Sequence, residues 1–302
     1  MDAPPPYYTT AAALQAEHRD LASTIRVLSH ETIKVDDQFQ VVYVELKRQE
    51  MFDESPDTPS KQWAAIRKLF TDILWSTRTA AGHLKTHTTD LVDAVLPAIA
   101  GQDADKASKM ADLTEFIEQP APSLLTTERV AEEIAELKKQ LGAFTDRSAA
   151  DLSAKISPAK QSLDQLEKES QNQAARQKES EEASRGLFGL FHKPQPPTTE
   201  LIDYDGRIRK IEDDIAGWEK LNACIVNGVR EICTGLDTIP DRVGSAFSAL
   251  WIHEKEDAEY LRQAVEASPD GNVQDVTIAV SAYKQVKDAL HYYGTNVNKS
   301  GP

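Results

Sequence analysis

The sequence predicts an all-α fold, an elongated bundle of long antiparallel helices with a protruding helical hairpin that carries a short hydrophobic tip. Long stretches lack glycine and proline, the first of them from Thr10 to Phe52. Within these stretches apolar residues recur at alternating steps of three and four, the spacing of a helix that buries one face. No segment shows the sustained period-two alternation of a strand, and thirteen glycines are few for 302 residues.

The first predicted helix runs from Thr10 to about Phe52, and the second starts near Ser60 and ends around Pro97 to Gly101. The apolar positions of the first are Leu14, Leu21, Ile25, Leu28, Val35, Phe39, Val42 and Leu46, with Thr32 filling one step. Those of the second are Trp63, Ile66, Phe70, Ile73, Ala80, Leu84, His87 and Leu91. We expect a turn from Asp53 to Pro59, with Ser60 as the cap of the second helix.

A shorter helix from Ala104 to Ile117 precedes the third long helix, and prolines separate the two. The third long helix starts at Thr126 or Thr127, and Pro158 is expected to kink it. Its apolar face ends at Leu166. From Glu167 to Ser184 the residues favour a helix, but none is large and apolar.

An apolar segment, Gly186-Leu187-Phe188-Gly189-Leu190-Phe191, follows this polar stretch and leads into a proline-rich turn. The return helix begins at Leu201 and has the most regular spacing in the chain. Its apolar positions are Leu201, Tyr204, Ile208, Ile211, Ile215, Trp218, Ile225, Val229, Ile232 and Leu236, with Asn222 as the one interruption. Pro240 and Gly244 are predicted to end it. Two further helices are expected over Asp241–Ala267 and Val273–Tyr293.

This pattern divides the chain into a body and a hairpin. Residues 1–160 and 216–302 are predicted to form a helical tail bundle, and residues 161–215 a hairpin stem and hydrophobic head with its tip at 186–197. Exposed apolar clusters mark contact sites, so we expect the tip to contact a membrane. Docking to a protein and packing against the chain itself are the open alternatives.

The residues predicted to bind the membrane are Leu187, Phe188, Leu190 and Phe191, flanked by the cations Arg185 and Lys193. Five glycines are candidate hinges for a rearrangement: Gly186, Gly189, Gly228, Gly235 and Gly244. For the last three, a role as close-packing sites between helices is the alternative.

The net charge and the lack of targeting signals limit which partners and which location we expect for this protein. The formal net charge is -15, which disfavours nucleic acid because phosphate binding needs an excess of Lys and Arg. The N-terminus, Met1 to Pro6, has neither the basic nor the apolar region of a signal peptide. No run approaches the length of a membrane-spanning helix. We therefore expect a soluble product made without a signal peptide, with any release by another route preceding its association with a target membrane.

No pattern of catalytic or metal-ligating residues stands out, so neither an enzyme nor a cofactor is predicted. His83 and His87 have a helical spacing that suits a metal, but no Cys or acidic residue completes a set, and a packing or surface role is preferred. Cys224 and Cys233 would lie roughly 13 Å apart on one helix, too far for a disulfide. Both are expected to be reduced.

The layout resembles the α-helical pore-forming toxins: cytolysin A, the haemolysin BL and non-haemolytic enterotoxin components, and the xenorhabdolysins. Gly186 to Phe191 matches the position of their hydrophobic head, between two long helices. Three local patterns are also similar: Ala80-Ala81 through Leu91 to Leu96-Pro97, the helix around Trp218, and Trp251 with Ala258 and Leu261. The head has only about six residues, whereas the enterotoxin head is a long apolar β-tongue; the short form is closer to the xenorhabdolysins.

The resemblance implies an α-pore-forming cytolysin, or one component of a multi-component toxin. Such a protein converts from a soluble monomer into a membrane-bound oligomer, so the implied partners are a lipid membrane and either further copies or a second component. The alternative function is a non-enzymatic coiled-coil scaffold or adaptor that uses the tip to dock a protein or membrane partner.

Overall fold

The computed structural model describes residues 11–50, 58–101, 104–121, 127–185, 203–271, 273 and 276–297. Over these residues the chain is helical and contains no strand, so the prediction of an all-α bundle of long helices is confirmed. In chain order the helices are α1 Ala11–Gln49, α2 Pro59–Asp90, α3 Leu96–Ala100, α4 Lys106–Glu118, α5 Thr127–Arg185, α6 Tyr204–Val243, α7 Ala249–Ala267 and α8 Val276–Asn296. Two π-helical turns, Leu91–Val95 and Gly244–Ser248, join α2 to α3 and α6 to α7.

The chain divides into two compact units. The first contains residues 1–141 and 228–302, and the second contains residues 142–227, which include the predicted hairpin 161–215. Helices α5 and α6 each have residues in both units.

The core of the first unit forms where α1 and α2 pack against α8, and where α4 packs against α7. The predicted apolar face of α1 is buried here, including Phe39, which stacks on Phe70 of α2 with ring centroids 5.3 Å apart. Two polar contacts align the helices. The Trp63 indole donates to the Phe39 carbonyl at 2.8 Å, and the hydroxyls of Thr77 and Tyr293 lie 2.8 Å apart inside the core.

The second unit is an antiparallel pair formed by residues 142–185 of α5 and 204–227 of α6. Its large buried residues are Phe144, Leu152, Leu166, Ile215, Leu221 and Ile225. Lys160 on α5 reaches Glu219 on α6 at 2.8 Å, and a surface cleft between Ser170–Gln177 and Asp203–Asp205 lies further along the same pair. The two helices therefore keep one antiparallel alignment over this length.

Two of the predicted helix boundaries are wrong. Pro240 lies inside the return helix and does not end it; α6 ends at Val243, directly before the predicted Gly244, and is followed by the π-helical turn that leads into α7. Ile239 and Val243 on either side of this proline are almost fully buried, and we attribute the continuity to this packing, which offsets a helix penalty of about 3 kcal/mol for proline.

Ser60 is not the cap of α2. Thr58 occupies the cap position of α2, and Pro59 lies in the first turn. Proline is tolerated there because an N–H in the first turn has no partner within the helix. The Ser60 N–H donates instead to the Glu50 carboxylate at 2.6 Å, so a side chain from the end of α1 accepts from the first turn of α2.

Candidate functional site

The predicted membrane-binding residues Leu187, Phe188, Leu190, Phe191 and Lys193, together with Gly186 and Gly189, lie outside the residues that the structure describes. Arg185 is the last residue of α5. Within the described residues, no helix combines the length and the apolar character needed to cross a bilayer.

The other three candidate hinges lie in helical segments. A methyl group added at Gly228 would collide with Val42, and one added at Gly235 would collide with Val35, so α6 and α1 approach closely at both glycines. Gly244 is the first residue of the π-helical turn before α7. Close packing therefore accounts for Gly228 and Gly235 in this conformation, and a hinge role for the three glycines stays a prediction.

Five consecutive residues of α7, His253–Asp257, make polar contacts to several helices of the first unit, and we call them the polar turn. Its side chains contact four different helices. His253 pairs with Glu17 of α1 at 3.1 Å between Nε2 and Oε1. The other contacts are made by Glu254, Lys255 and Asp257.

Glu254 is fully buried and contacts two adjacent residues of α2. Its Oε2 lies 2.5 Å from His87 Nδ1, and its Oε1 accepts from the Thr88 hydroxyl at 2.5 Å. The His87 ring lies between Phe116 and Trp251, with centroids 4.1 and 4.3 Å away. Burial raises the pKa of Glu254, although the hydrogen bond from His87 opposes this shift.

Lys255 lies across the end of α4. Its ammonium donates to the carbonyls of Phe116 at 2.7 Å and Gln119 at 2.8 Å, and also to that of Ile117. It lies 4.8 Å from the centre of the Trp251 ring, a distance typical of a cation–π contact. Desolvation lowers the pKa of Lys255, while the neighbouring Glu254 acts in the opposite direction.

Asp257 faces α8 and α1. It accepts from the Tyr283 hydroxyl at 2.5 Å, and the Tyr283 ring meets the His18 ring edge-on at 4.2 Å. Burial raises the pKa of Asp257, and the hydrogen bond from Tyr283 lowers it in part. The polar turn thus holds two carboxyl groups of raised pKa, three residues apart on one helix.

The arrangement ties helices together and offers no metal-binding set. Among the residues that the structure describes, no three His, Cys, Asp or Glu side chains are placed to hold a metal ion. His87 is buried against Glu254, in agreement with its predicted packing role, whereas His83 is exposed. No disulfide links Cys224 and Cys233, as expected.

The sequence interpretation missed Glu254, although the signal was present. The apolar face of α7 runs through Phe247, Leu250, Ala258 and Leu261, and the step between Leu250 and Ala258 is occupied by Glu254. His87 interrupts the apolar face of α2 in the same way. A carboxylate and an imidazole on the buried faces of two helices indicate a pair, because a buried charge needs a partner.

Comparison with known protein families, curated proteins and solved structures finds no match to this chain. The fold itself defines the class of protein, an all-α bundle of long helices. Its polar contacts, of which the Glu254–His87 contact is buried, define a polar turn that connects α7 to α1, α2, α4 and α8.

Proposed function

We propose that this protein is an α-pore-forming cytolysin or one component of a multi-component pore-forming toxin, which meets a membrane through Leu187, Phe188, Leu190 and Phe191. One observation carries the proposal: an apolar segment follows directly on a helix whose last turns are polar on every side. A water-soluble helical pair that leads to four large apolar residues is suited to deliver them to a lipid surface.

The packing of the second unit supports this proposal. The α5 side chains from Glu167 to Glu179 are all exposed, except for the half-buried Ser170 and Gln173. On α6, Ile225 and Ile215 are buried, whereas Ile211, Ile208 and Tyr204 are only half-buried. Apolar contact between the two helices therefore weakens toward the residues that adjoin the tip, so separation of the helices there costs little.

The proposed mechanism has three steps. The tip docks on lipid, where full burial of each Leu or Phe is worth roughly 1.5–3 kcal/mol. Arg185 and Lys193 add attraction to anionic headgroups, which offsets part of the repulsion from an acidic protein. The weakly packed ends of α5 and α6 then let the hairpin extend, and the half-buried faces pair with a neighbouring copy or a second component. No cofactor enters the mechanism.

The antiparallel pair of α5 and α6, with Lys160 and Glu219 joined across it, favours a second candidate function. In this alternative the chain is a non-enzymatic scaffold, and the tip docks a protein or membrane partner without opening a pore. The two functions differ in one measurable respect, since only a pore-forming protein releases the contents of a vesicle.

The test is sedimentation with liposomes, combined with release of an entrapped dye. We expect the wild-type protein to bind and to cause leakage, and the double variant Phe188→Glu, Phe191→Glu to do neither while its circular dichroism spectrum is unchanged. The matched control is Val41→Glu, Val44→Glu, because both valines are exposed on α1, at 54% and 55%. This control should behave as wild type.

The outcomes separate the candidates. Binding without leakage supports the scaffold, and a wild-type protein that does not bind lipid at all contradicts the membrane step. Equal loss of binding in the tip variant and the valine control would assign the effect to added negative charge. The series is repeated across pH because His192 lies within the tip, next to Phe191.

A further inference from the structure

Helix α4 covers the buried contact between His87 and Glu254. Phe116 of α4 stacks on the His87 ring at 4.1 Å between centroids, with an angle of 29° between the planes. Within the described residues, α4 packs mainly against α7 and the π-helical turn Leu91–Val95. It is therefore a peripheral element that closes one side of the polar turn.

Two lysines hold α4 at its opposite ends. Lys106, the first residue of α4, donates from Nζ to the carbonyls of Glu266 at 2.6 Å and Ser268 at 2.9 Å, at the end of α7. Lys255 of α7 donates to the carbonyls that end α4. Each helix thus supplies the cation for the other's C-terminus, where unsatisfied carbonyls and the helix dipole favour positive charge.

The contacts that hold α4 in place differ in kind from those that hold the central helices. Helix α4 buries two large apolar residues, Leu113 and Phe116, and Lys109, which donates to the Gly271 carbonyl at 3.3 Å, whereas α1 buries an apolar residue at nearly every turn from Leu21 to Leu46. A helix of 13 residues is marginal in isolation. Water can replace a lysine–carbonyl hydrogen bond more readily than it can replace an apolar core, so α4 belongs to the part of the unit that opens first.

We propose that α4 is a latch that undocks as a unit while α1, α2 and α8 stay folded, and that its undocking admits water to the His87–Glu254 pair. In the closed state Glu254 has no exposed surface and His87 is 4% exposed. Opening hydrates both groups, so the position of α4 controls whether the pair exchanges protons with solvent. This inference stands apart from the proposed membrane activity and needs no lipid for its test.

Native-state hydrogen exchange with mass spectrometry tests the latch on the full chain. In the wild-type protein, peptides from α4 should exchange through an opening that depends weakly on denaturant, whereas peptides from α1 and α8 exchange with global unfolding. Lys255→Met keeps the unbranched side chain but removes the charge. We expect it to raise the exchange rate in α4 by about 10- to 100-fold, as the loss of charge-assisted hydrogen bonds implies, and to leave α1 and α8 unchanged.

Lys106→Met should act in the same direction from the other end of α4. The matched control is Lys68→Met, because Lys68 of α2 is 73% exposed and, among the residues that the structure describes, pairs within its own helix, with Asp72 at 2.8 Å. It should change no α4 peptide. The latch is overturned if α4 in the wild-type protein exchanges only with global unfolding, or if Lys255→Met accelerates all helices equally.

Discussion

Glu254 Oε2 lies 2.5 Å from His87 Nδ1 inside the first unit, and the two residues are 167 positions apart in the chain. Both side chains are buried, with exposed fractions of 0% for Glu254 and 4% for His87. A buried acid and base in such contact join α7 to α2 and leave few ways to rearrange either helix alone. The first predictions follow from this pair.

Removal of the carboxyl group should destabilise the protein. Glu254→Ala leaves the buried His87 imidazole without its hydrogen-bond partner and opens a cavity, so we expect a loss on the order of 3 kcal/mol in the free energy of unfolding. Urea denaturation followed by circular dichroism measures the change. A loss below about 0.5 kcal/mol would mean that the pair is not formed in solution.

Replacement of both partners by apolar residues should recover much of that loss. In Glu254→Leu with His87→Phe, no polar group of the pair remains to be desolvated, and substitutions of this kind in other proteins are often neutral or stabilising. Thr88 keeps a partner, because its hydroxyl also donates to the Leu84 carbonyl at 2.9 Å. The double-mutant cycle contradicts the pairing if the two single losses simply add.

The stability of the first unit should depend on pH through Glu254 and Asp257. Burial raises the pKa of each above its ordinary value, 4.5 and 3.8 respectively. A raised pKa means that the folded state binds the proton more tightly. The associated stabilisation is fully present below the ordinary value and is lost as pH rises through the folded-state pKa.

We therefore expect the double variant Glu254→Gln, Asp257→Asn to lose the decrease in unfolding free energy that these two groups cause in the wild-type protein as pH rises. The amides imitate the protonated acids, so the variant should gain stability relative to wild type as pH rises. The measurement is the difference in the free energy of unfolding between the two proteins from pH 4 to pH 8, in which other carboxylates largely cancel. A difference that is constant over this range would show that neither group titrates with a raised pKa.

The glycines of α6 should not tolerate a side chain where α1 approaches. Gly235→Ala places a methyl group against Val35, and overpacking of this kind costs roughly 1–3 kcal/mol. Alanine also gains up to about 1 kcal/mol of helix propensity, so we expect a net loss of about 1 kcal/mol in the free energy of unfolding. In combination with Val35→Ala the two losses should be less than additive.

Gly82 of α2 is the matched control, since among the described residues no atom beyond its own stretch of helix backbone and its chain neighbours lies within 4 Å of an added methyl group. Gly82→Ala should raise the melting temperature, because only the helix-propensity gain remains. If both alanine variants stabilise the protein, α1 and α6 do not approach closely at Gly235 in solution.

Because apolar contact weakens along the second unit, alanine substitutions there should lower the free energy of unfolding by unequal amounts. Ile225→Ala removes a side chain that is 1% exposed and should cost roughly 2–5 kcal/mol in the free energy of unfolding. Ile208 is half-buried, so Ile208→Ala should cost less than about 1.5 kcal/mol. Chemical denaturation of both variants checks the order. Equal losses would remove the packing argument for an easily opened hairpin.

The helices could be predicted from the sequence because each buries one face, and the spacing of apolar residues records that face directly. The predicted apolar positions of α1 from Leu21 to Leu46 are all buried. The passage of α6 through Pro240 could not be predicted in this way. Proline normally ends a helix, and only the packing of Ile239 and Val243 explains why this one continues.

Taken alone, the sequence determined the fold class and the buried face of α1, since these depend on local periodicity and residue type. The tertiary structure decided what the polar turn does. The position of Glu254 on the apolar face of its helix indicates burial, whereas Lys255 and Asp257 look like ordinary charges of an exposed helix, and the three residues contact three different helices. Which helices those are depends on how distant segments pack, and periodicity within one helix carries no information about its neighbours.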